Sequence, residues 1–515
     1  MLALVDSLAV LGVDAYRVQV EVDVSAGMIA FAVVGLPDAA VRESGERVRA
    51  AIRNSNFSMP ARRITVNLAP ADTKKQGPSF DLPIALGVLM GDGQIQAKLA
   101  DFAAVGELGL NGEVRPISGV LPMAIGARDA GKAALLVPAA NAREAAVVEG
   151  IDVYGVESLA DAVKLIMGER REPTRSDFSH ENLEAPVMDV DWGDVKGQEA
   201  VKRAMEVAAA GGHNILLVGS PGSGKTLLSR RLPTILPPLL IDEALEVTKL
   251  YSVAGLLPTG AGLIAARPFR SPHHTISHAG LVGGGSYPRP GEISLSHNGV
   301  LFLDELPEFH RDVLEVMRQP LEDGQVCIAR AAQTLTFPAH FQLVAAMNPC
   351  PCGFLLGGTP TGSPSEKPCT CTAPQIRRYL SRISGPLLDR IDIHIEVPRL
   401  SSEELMGKRT GESSATVRRR VCGARAQQTA RMKNTSATCN ARMKAKELRE
   451  FCEMDGATKD LLKTAIAQFG LSGRGYDRIL KVSRTIADLE GAENIEMHHV
   501  AEAINYRAFD RKLFG

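Results

Sequence analysis

The chain has 515 residues, 45% of them apolar, which is too much for one hydrophobic core and calls for about three domains. A formal net charge of −1 excludes attraction of the whole molecule to nucleic acid or an anionic membrane, so any polyanion contact must come from local patches. The N-terminus MLALVDSLAVLGVDAY carries acids and no leading basic run, and no window of about 20 residues is uniformly apolar, so a soluble, unsecreted, cytoplasmic protein with no membrane partner is expected. Eight cysteines, four in one cluster, fit a reducing compartment with a metal site better than a disulfide framework.

Residues 1–168 alternate β-branched runs (16–24, 64–68, 134–137) with helical patterns at 41–52 and 120–130, an α/β domain without a P-loop of its own. Residues 169–188 are polar, lack apolar periodicity and read as a linker. From 189 to 400 strands again alternate with helices, as a parallel sheet covered on both faces requires. Beyond 400 strand signals stop, and patterns at 461–469 and 476–489 predict a separate helical domain over 401–515. The expected fold class is therefore α/β multi-domain.

The octapeptide Gly219, Ser220, Pro221, Gly222, Ser223, Gly224, Lys225, Thr226 follows an apolar strand at 215–218 and precedes a helical pattern, the context of a P-loop. Its glycines let backbone N–H groups curl around phosphates, Lys225 reaches the β/γ oxygens of ATP, and the Thr226 hydroxyl is placed to ligate Mg²⁺. VLFLDEL at 300–306 is an apolar strand ending in Asp304, placed to hold magnesium, and Glu305, placed to polarise the attacking water. A third buried run, 341–347, ends in Asn348, either a sensor amide beside the γ-phosphate or the start of a turn before Pro349. In LLDRIDIHIEV, Arg390 is the candidate arginine finger acting in trans; the alternatives are an ion pair with Asp389 or Asp392, and Arg382 as the finger. In SGRGYDRIL, Arg474 opens a helix where a lid could lower it onto the γ-phosphate, with Arg478 the second choice for that sensor.

Three further segments carry chemistry. Residues 271–296 are rich in His and Gly (His273, His274, His278) and too long for a plain connection; with no acidic or Cys partner nearby in sequence, loop structure is preferred to a metal site. The hairpin at 325–337 brings Arg330 near its tip, where it could meet a phosphate backbone. The segment 407–446 holds eleven Lys and Arg, including Arg418, Arg419 and Arg420, against the single acid Glu412, a footprint for sequence-independent DNA binding or else a solvated helix face. Finally, Cys350-x-Cys352 and Cys369-x-Cys371, within 350–371, present two pairs of thiolates suited to tetrahedral Zn²⁺; free thiols or an oxidation-sensitive pair are the alternative.

The order of P-loop, Walker B strand, Asn348, LLDR and SGRG, together with RPFRSPHHTISHAGLVGGGSYPRPGEISLSHNGVLFLDELPEF, resembles the magnesium-chelatase-like AAA+ ATPases of the ComM/YifB group along essentially the whole chain. That resemblance implies an AAA+ core with a helical lid, a homo-oligomeric ring, usually a hexamer, with ATP between subunits, and a DNA helicase or branch-migration role in natural transformation or recombination. The alternative it leaves is a chelatase-type motor subunit remodelling a protein partner. KKQGPSFDLPIALGVL and GELGLNGEVRPISGVLPMAIGARDAG are similar to the proteolytic domain of Lon, which implies a Lon-protease-like fold with Ser79 at the nucleophile position. Leu121 stands where the general-base lysine belongs, so an inactive domain is expected.

Overall fold

In the strand Asp14–Ser25, Val18, Val20, Val22 and Val24 are buried while Arg17, Gln19, Glu21 and Asp23 face the other way, the period of two that a sheet with one packed face demands. This strand sits inside a seven-stranded sheet ordered Ala30–Val34, Arg63–Ala69, Asp14–Ser25, Leu2–Leu11, Phe102–Ala104, Ala134–Pro138, Asp152–Val156. Asp14–Ser25 is antiparallel to both neighbours, and the remaining pairs are parallel. Helix Asp81–Gly91, almost wholly buried, lies against the valine face; a Cβ at Gly87 would sit 2.5 Å from Val22 Cγ2, so only glycine permits this approach. The computed structural model describes residues 1–515 except 98, 177–188, 286–287, 331–332, 356–367, 407–410, 470–471 and 515, and the side chains of 330, 333, 402, 405, 469 and 508–514 are likewise undescribed. Most of the linker expected at 169–188 therefore lies outside the described residues.

The second sheet is the one that positions chemistry. Its five strands, ordered Phe269–Arg270, Val300–Leu303, Gln342–Met347, Ile215–Val218, Ile393–Glu396, are parallel at every pairing and consistent with an AAA+-like core. Continuous apolar runs such as VLFL and ILLV are buried throughout because helices cover both faces. The crevice beyond the carboxyl ends of such strands is where an α/β sheet binds ligand, and there the P-loop, Asp304 and Asn348 emerge.

Beyond residue 400 the chain is helical, but its helices do not build a core of their own. Val417, Val421, Ile479, Ile486 and Ile504 join Ile215, Leu217, Val300 and Ile393 in one buried cluster. Helix Ser414–Arg431 lies on helix Glu199–Gly211, with Gln428 Nε2 donating to Ala210 O at 3.1 Å. The two α/β domains also touch: Gly119 N donates to Ser252 O at 3.0 Å, and the Ser252 hydroxyl donates to the buried Glu144 carboxylate. No helix among the described residues is long and apolar enough to cross a membrane.

Candidate nucleotide site

Strand Ile215–Val218 passes into helix Lys225–Arg231 through a turn that needs left-handed backbone at Gly222 (φ 77°) and Gly224 (φ 92°). A Cβ at Gly219 would lie 2.4 Å from Val397 O, so a side chain there would push the loop off the sheet. Lys225 Nζ folds back onto Gly219 O (2.6 Å), Ser220 O (3.0 Å) and Asn348 Oδ1 (3.2 Å). Burial pushes this ammonium down to about 8 against the pull of Asp304 and Glu305, and the charge of Arg399 adds to the lowering. Ser223 Oγ is buried with no hydrogen-bond partner among the described residues. A buried ammonium and a buried hydroxyl without a partner, set in a glycine turn at the start of a helix, fit a bound polyphosphate.

Thr226 Oγ1 donates to Asp304 Oδ2 at 2.7 Å, bringing together the two oxygens expected to share magnesium. Glu305 N donates to Asp304 Oδ1 at 3.0 Å and fixes the carboxylate. Glu305 itself adopts φ 54°, a left-handed conformation that costs a non-glycine residue about 1–3 kcal/mol and clusters at functional sites. Its exposed carboxylate lies 3.5 Å from His274 Nδ1. His274 in turn stacks on His273 (centroids 4.1 Å apart) and meets the Phe309 ring edge-on. The His-rich insertion thus reaches Glu305, the residue expected to polarise the attacking water. Among the described residues its histidines join no metal-ligand cluster, and Arg270 is forked onto Glu292 by two hydrogen bonds of 2.6 Å.

The four candidate arginines, Arg390 and Arg382 for the finger and Arg474 and Arg478 for the sensor, are all engaged within the chain. Arg390 pairs with Glu322 rather than with Asp389 or Asp392 and also donates to Pro386 O at 2.7 Å. Arg474, 58% exposed, lies 3.5 Å from the other oxygen of the same Glu322. Neither makes a hydrogen bond to the P-loop among the described residues, so the chain does not lower Arg474 onto its own phosphate site in this conformation. Arg478, one helical turn on, is buried against Asp392 at 3.3 Å. Burial alone would raise the Asp392 carboxyl, but the His213 hydrogen bond and the charges of His213, Arg478 and Lys481 hold it at about 2. Arg478 is thus engaged in a buried ion pair, and Arg382 is engaged with Glu308 at 2.8 Å.

The basic segment is less free than its composition implies. Arg418 Nε donates to Thr234 O (2.8 Å), Arg420 bonds Glu206 (2.6 Å) and forks onto Glu412, and Arg431 pairs with buried Asp488. Of Arg418, Arg419 and Arg420, only Arg419 is exposed, because the helix turns Arg420 toward helix Glu199–Gly211 and Arg418 toward Thr234. Lys408 and Arg409 lie outside the described residues, as does the side chain of Arg330. The backbone of Arg330 ends a regular antiparallel hairpin, Gln325–Arg330 with Gln333–Pro338.

Cys350, Cys352, Cys369 and Cys371 converge, their Sγ atoms all within 4.8 Å of one another. In the N-terminal domain Ser79 is buried in the turn Pro78–Phe80. Leu121 is buried in helix Val120–Asp129, with its N–H donated to Glu144 Oε1 at 2.9 Å. Lys75, four residues before Ser79, is fully buried; its ammonium has no hydrogen-bond partner among the described residues, and burial lowers its pKa. Sequence reasoning missed it, as it missed Gln198, which bridges Ser223 O (2.7 Å) and Pro398 O (2.8 Å), and Arg399, which donates to Pro221 O (2.9 Å). A polar residue just before a helix, or an arginine just after a strand, is too common a pattern to flag them.

Three family descriptions match in succession: Subunit ChlI of Mg-chelatase over residues 20–141, Magnesium chelatase, subunit ChlI, over 191–405, and Magnesium chelatase, subunit ChlI C-terminal, over 411–507. Competence protein ComM of Haemophilus influenzae is 46% identical over 519 aligned residues, covering 99% of this chain and 98% of that one. Uncharacterized protein YifB of Escherichia coli is 42% identical over 519, with the same coverage. Lon protease 2 of Bacillus subtilis is 29% identical over 205 residues, 36% of each chain. Full-length identity at this level, carried by a P-loop and Walker B carboxylate that the fold brings together, places the chain in the ComM/YifB family of magnesium-chelatase-like AAA+ ATPases.

Proposed function

We propose that the chain is the subunit of an ATP-driven ring motor, a hexamer, that moves branched or single-stranded DNA in transformation or recombination. The observation that carries this reading is the pairing of Arg390 and Arg474 on Glu322, apart from the Lys225, Thr226 and Asp304 constellation. Arginines not hydrogen-bonded to their own P-loop support service to the nucleotide of a neighbour, and sites completed by neighbours support a ring. In each subunit the loop 219–226 cradles the phosphates, Lys225 reaches the β/γ oxygens, and Asn348 stands beside them. Thr226 and Asp304 would hold Mg²⁺, which neutralises charge on the phosphates when bound; Glu305 orients the attacking water. The name of the Haemophilus influenzae relative, a competence protein, supports DNA as the substrate, and the hairpin near Arg330 and exposed Arg419 are the candidate contacts. Cys350, Cys352, Cys369 and Cys371 hold Zn²⁺ in this reading, and the cytoplasm is its compartment.

The matches to magnesium-chelatase subunit I along three segments favour one second reading, a motor that remodels a protein partner. ATPase activity measured with and without single-stranded and forked DNA separates the two. Stimulation with strand displacement supports the DNA motor; neither effect, with hydrolysis intact, gives the chelatase-type motor.

A further inference from the structure

The four cysteines have the dimensions of a metal cage. A tetrahedral site with metal–sulfur bonds of about 2.3 Å has sulfur–sulfur edges of about 3.8 Å. Here Cys350 lies 3.4 Å from Cys352 and 3.7 Å from Cys369, and Cys352 lies 3.6 Å from Cys369. Cys371 Sγ accepts the Cys352 N–H at 3.4 Å, which ties the second pair of cysteines to the first. None of the four is in a disulfide.

The cage is built onto the nucleotide site. Its first cysteine follows Asn348 by two residues, and the Asn348 amide holds Lys225. Immediately after Cys352, Gly353 (φ 84°) packs so closely on the P-loop that a Cβ would lie 2.4 Å from Pro221 Cδ. Next in chain, the Phe354 ring lies 5.3 Å from the Arg399 guanidinium, whose Nη2 donates to Pro221 O at 2.9 Å. Two consecutive residues of the knuckle, Gly353 directly and Phe354 through Arg399, thus press on one shoulder of the phosphate loop.

We propose that the four-cysteine site binds one thiophilic d¹⁰ cation per chain and that this cation clamps the P-loop, so that metal occupancy sets ATP affinity. The inference rests on the nucleotide reading above. Without the cation four thiols crowd within van der Waals contact and the knuckle opens. Gly353 and Phe354 then leave Pro221, and a loop whose grip depends on fixed N–H directions loses it.

The test uses the full chain purified without chelator. Metal is measured by mass spectrometry and ATP affinity by a fluorescent ATP analogue, before and after displacing the metal with an organomercurial, removing the mercurial with thiol, and adding Zn²⁺ back. The expected result is one zinc per chain, affinity weakened about tenfold or more on stripping, and recovery on adding Zn²⁺. Gly353→Ala should weaken affinity with zinc content unchanged, and Cys369→Ser should lose both, with far-ultraviolet circular dichroism preserved in each. Unchanged affinity in the stripped protein overturns the clamp, and failure to hold zinc before or after its addition overturns the site. Native, zinc-loaded protein that binds no ATP analogue at all overturns the nucleotide reading itself, a result distinguishable from the other two.

Discussion

Arg390→Ala tests the idea that each ATP is finished by a neighbouring subunit. Within one chain the guanidinium, 12% exposed, is held by Pro386 O and by Glu322, which is 51% exposed and keeps Arg474 as a second partner, so its loss should cost the fold about 1–3 kcal/mol. Hydrolysis should fall about 10³-fold or more, worth about 4 kcal/mol at 1.36 kcal/mol per decade. The KM for ATP should move little, because Lys225 and the loop 219–226 belong to the same, unaltered chain. The decisive assay co-expresses Arg390→Ala with Lys225→Ala subunits carrying different tags. Neither variant hydrolyses ATP alone, yet in mixed rings about a quarter of interfaces pair an intact P-loop with an intact Arg390 by random assortment, and activity returns. Arg390→Ala rings with wild-type kcat, or mixed rings purified through both tags that stay inactive, would refute the reasoning.

Arg478→Met, although only one turn from Arg474, should cost about 3 kcal/mol of stability by removing the guanidinium paired with buried Asp392, whereas Arg474→Met should cost under about 1; equal urea midpoints for the two would contradict the assignment. Lys75→Met should raise stability at neutral pH. A lysine whose folded pKa is depressed costs stability below that pKa and recovers it as pH rises toward the ordinary lysine value, so the advantage of Lys75→Met should shrink in alkaline melts; a gain that grows with pH would be the wrong sign. Arg419→Ala should lower DNA affinity by a modest factor and flatten its salt dependence without affecting melting, whereas Arg420→Ala should lower the melting temperature through the lost Glu206 and Glu412 bonds. Ser79→Ala should leave ATPase activity unchanged, and wild-type protein should not cleave unfolded casein, since Leu121 offers no base; serine-dependent cleavage would show that another group, such as Lys75, activates Ser79.

The P-loop, Asp304 and Asn348 were legible because each is coded locally, by a strand followed at once by the polar residues it delivers. The topology then brings these ends together, as Thr226 on Asp304 and Lys225 on Asn348 attest. The cysteines were legible for the same reason: each Cys-x-Cys pair needs only an extended backbone. Partners far apart in sequence were not. The run Arg418, Arg419, Arg420 reads identically whether a helix faces solvent or a neighbouring helix, and only packing shows that Glu206 takes Arg420. The boundary expected near residue 400 rests on a local signal as well. A change from strand to helix pattern marks a change of architecture, but the apolar stripes of the later helices are completed by the ATPase sheet, so one core spans the boundary. His274 beside Glu305 was not legible because the pair meets only where the insertion folds back onto the end of strand Val300–Leu303.

Arg474 and Arg478 tie these observations into a single constraint. They stand one turn apart on helix Gly473–Glu490, one exposed beside Glu322 and one buried on Asp392. Asp392 opens into strand Ile393–Glu396 and is held from below by His213 Nδ1 (3.4 Å) and Asn214 N (3.2 Å), immediately before the P-loop strand. His213 Nε2 in turn shares a 2.7 Å hydrogen bond with Thr485, further along the helix that carries both arginines. The reach of Arg474 is therefore set by a buried network rooted in the strand that leads to Lys225. Any lid movement that swings Arg474 toward a neighbouring nucleotide must carry helix Gly473–Glu490 and this sheet edge as one body or break a buried ion pair. Breaking such a pair costs about 3–5 kcal/mol, so rigid-body movement of core and lid together is the cheaper path.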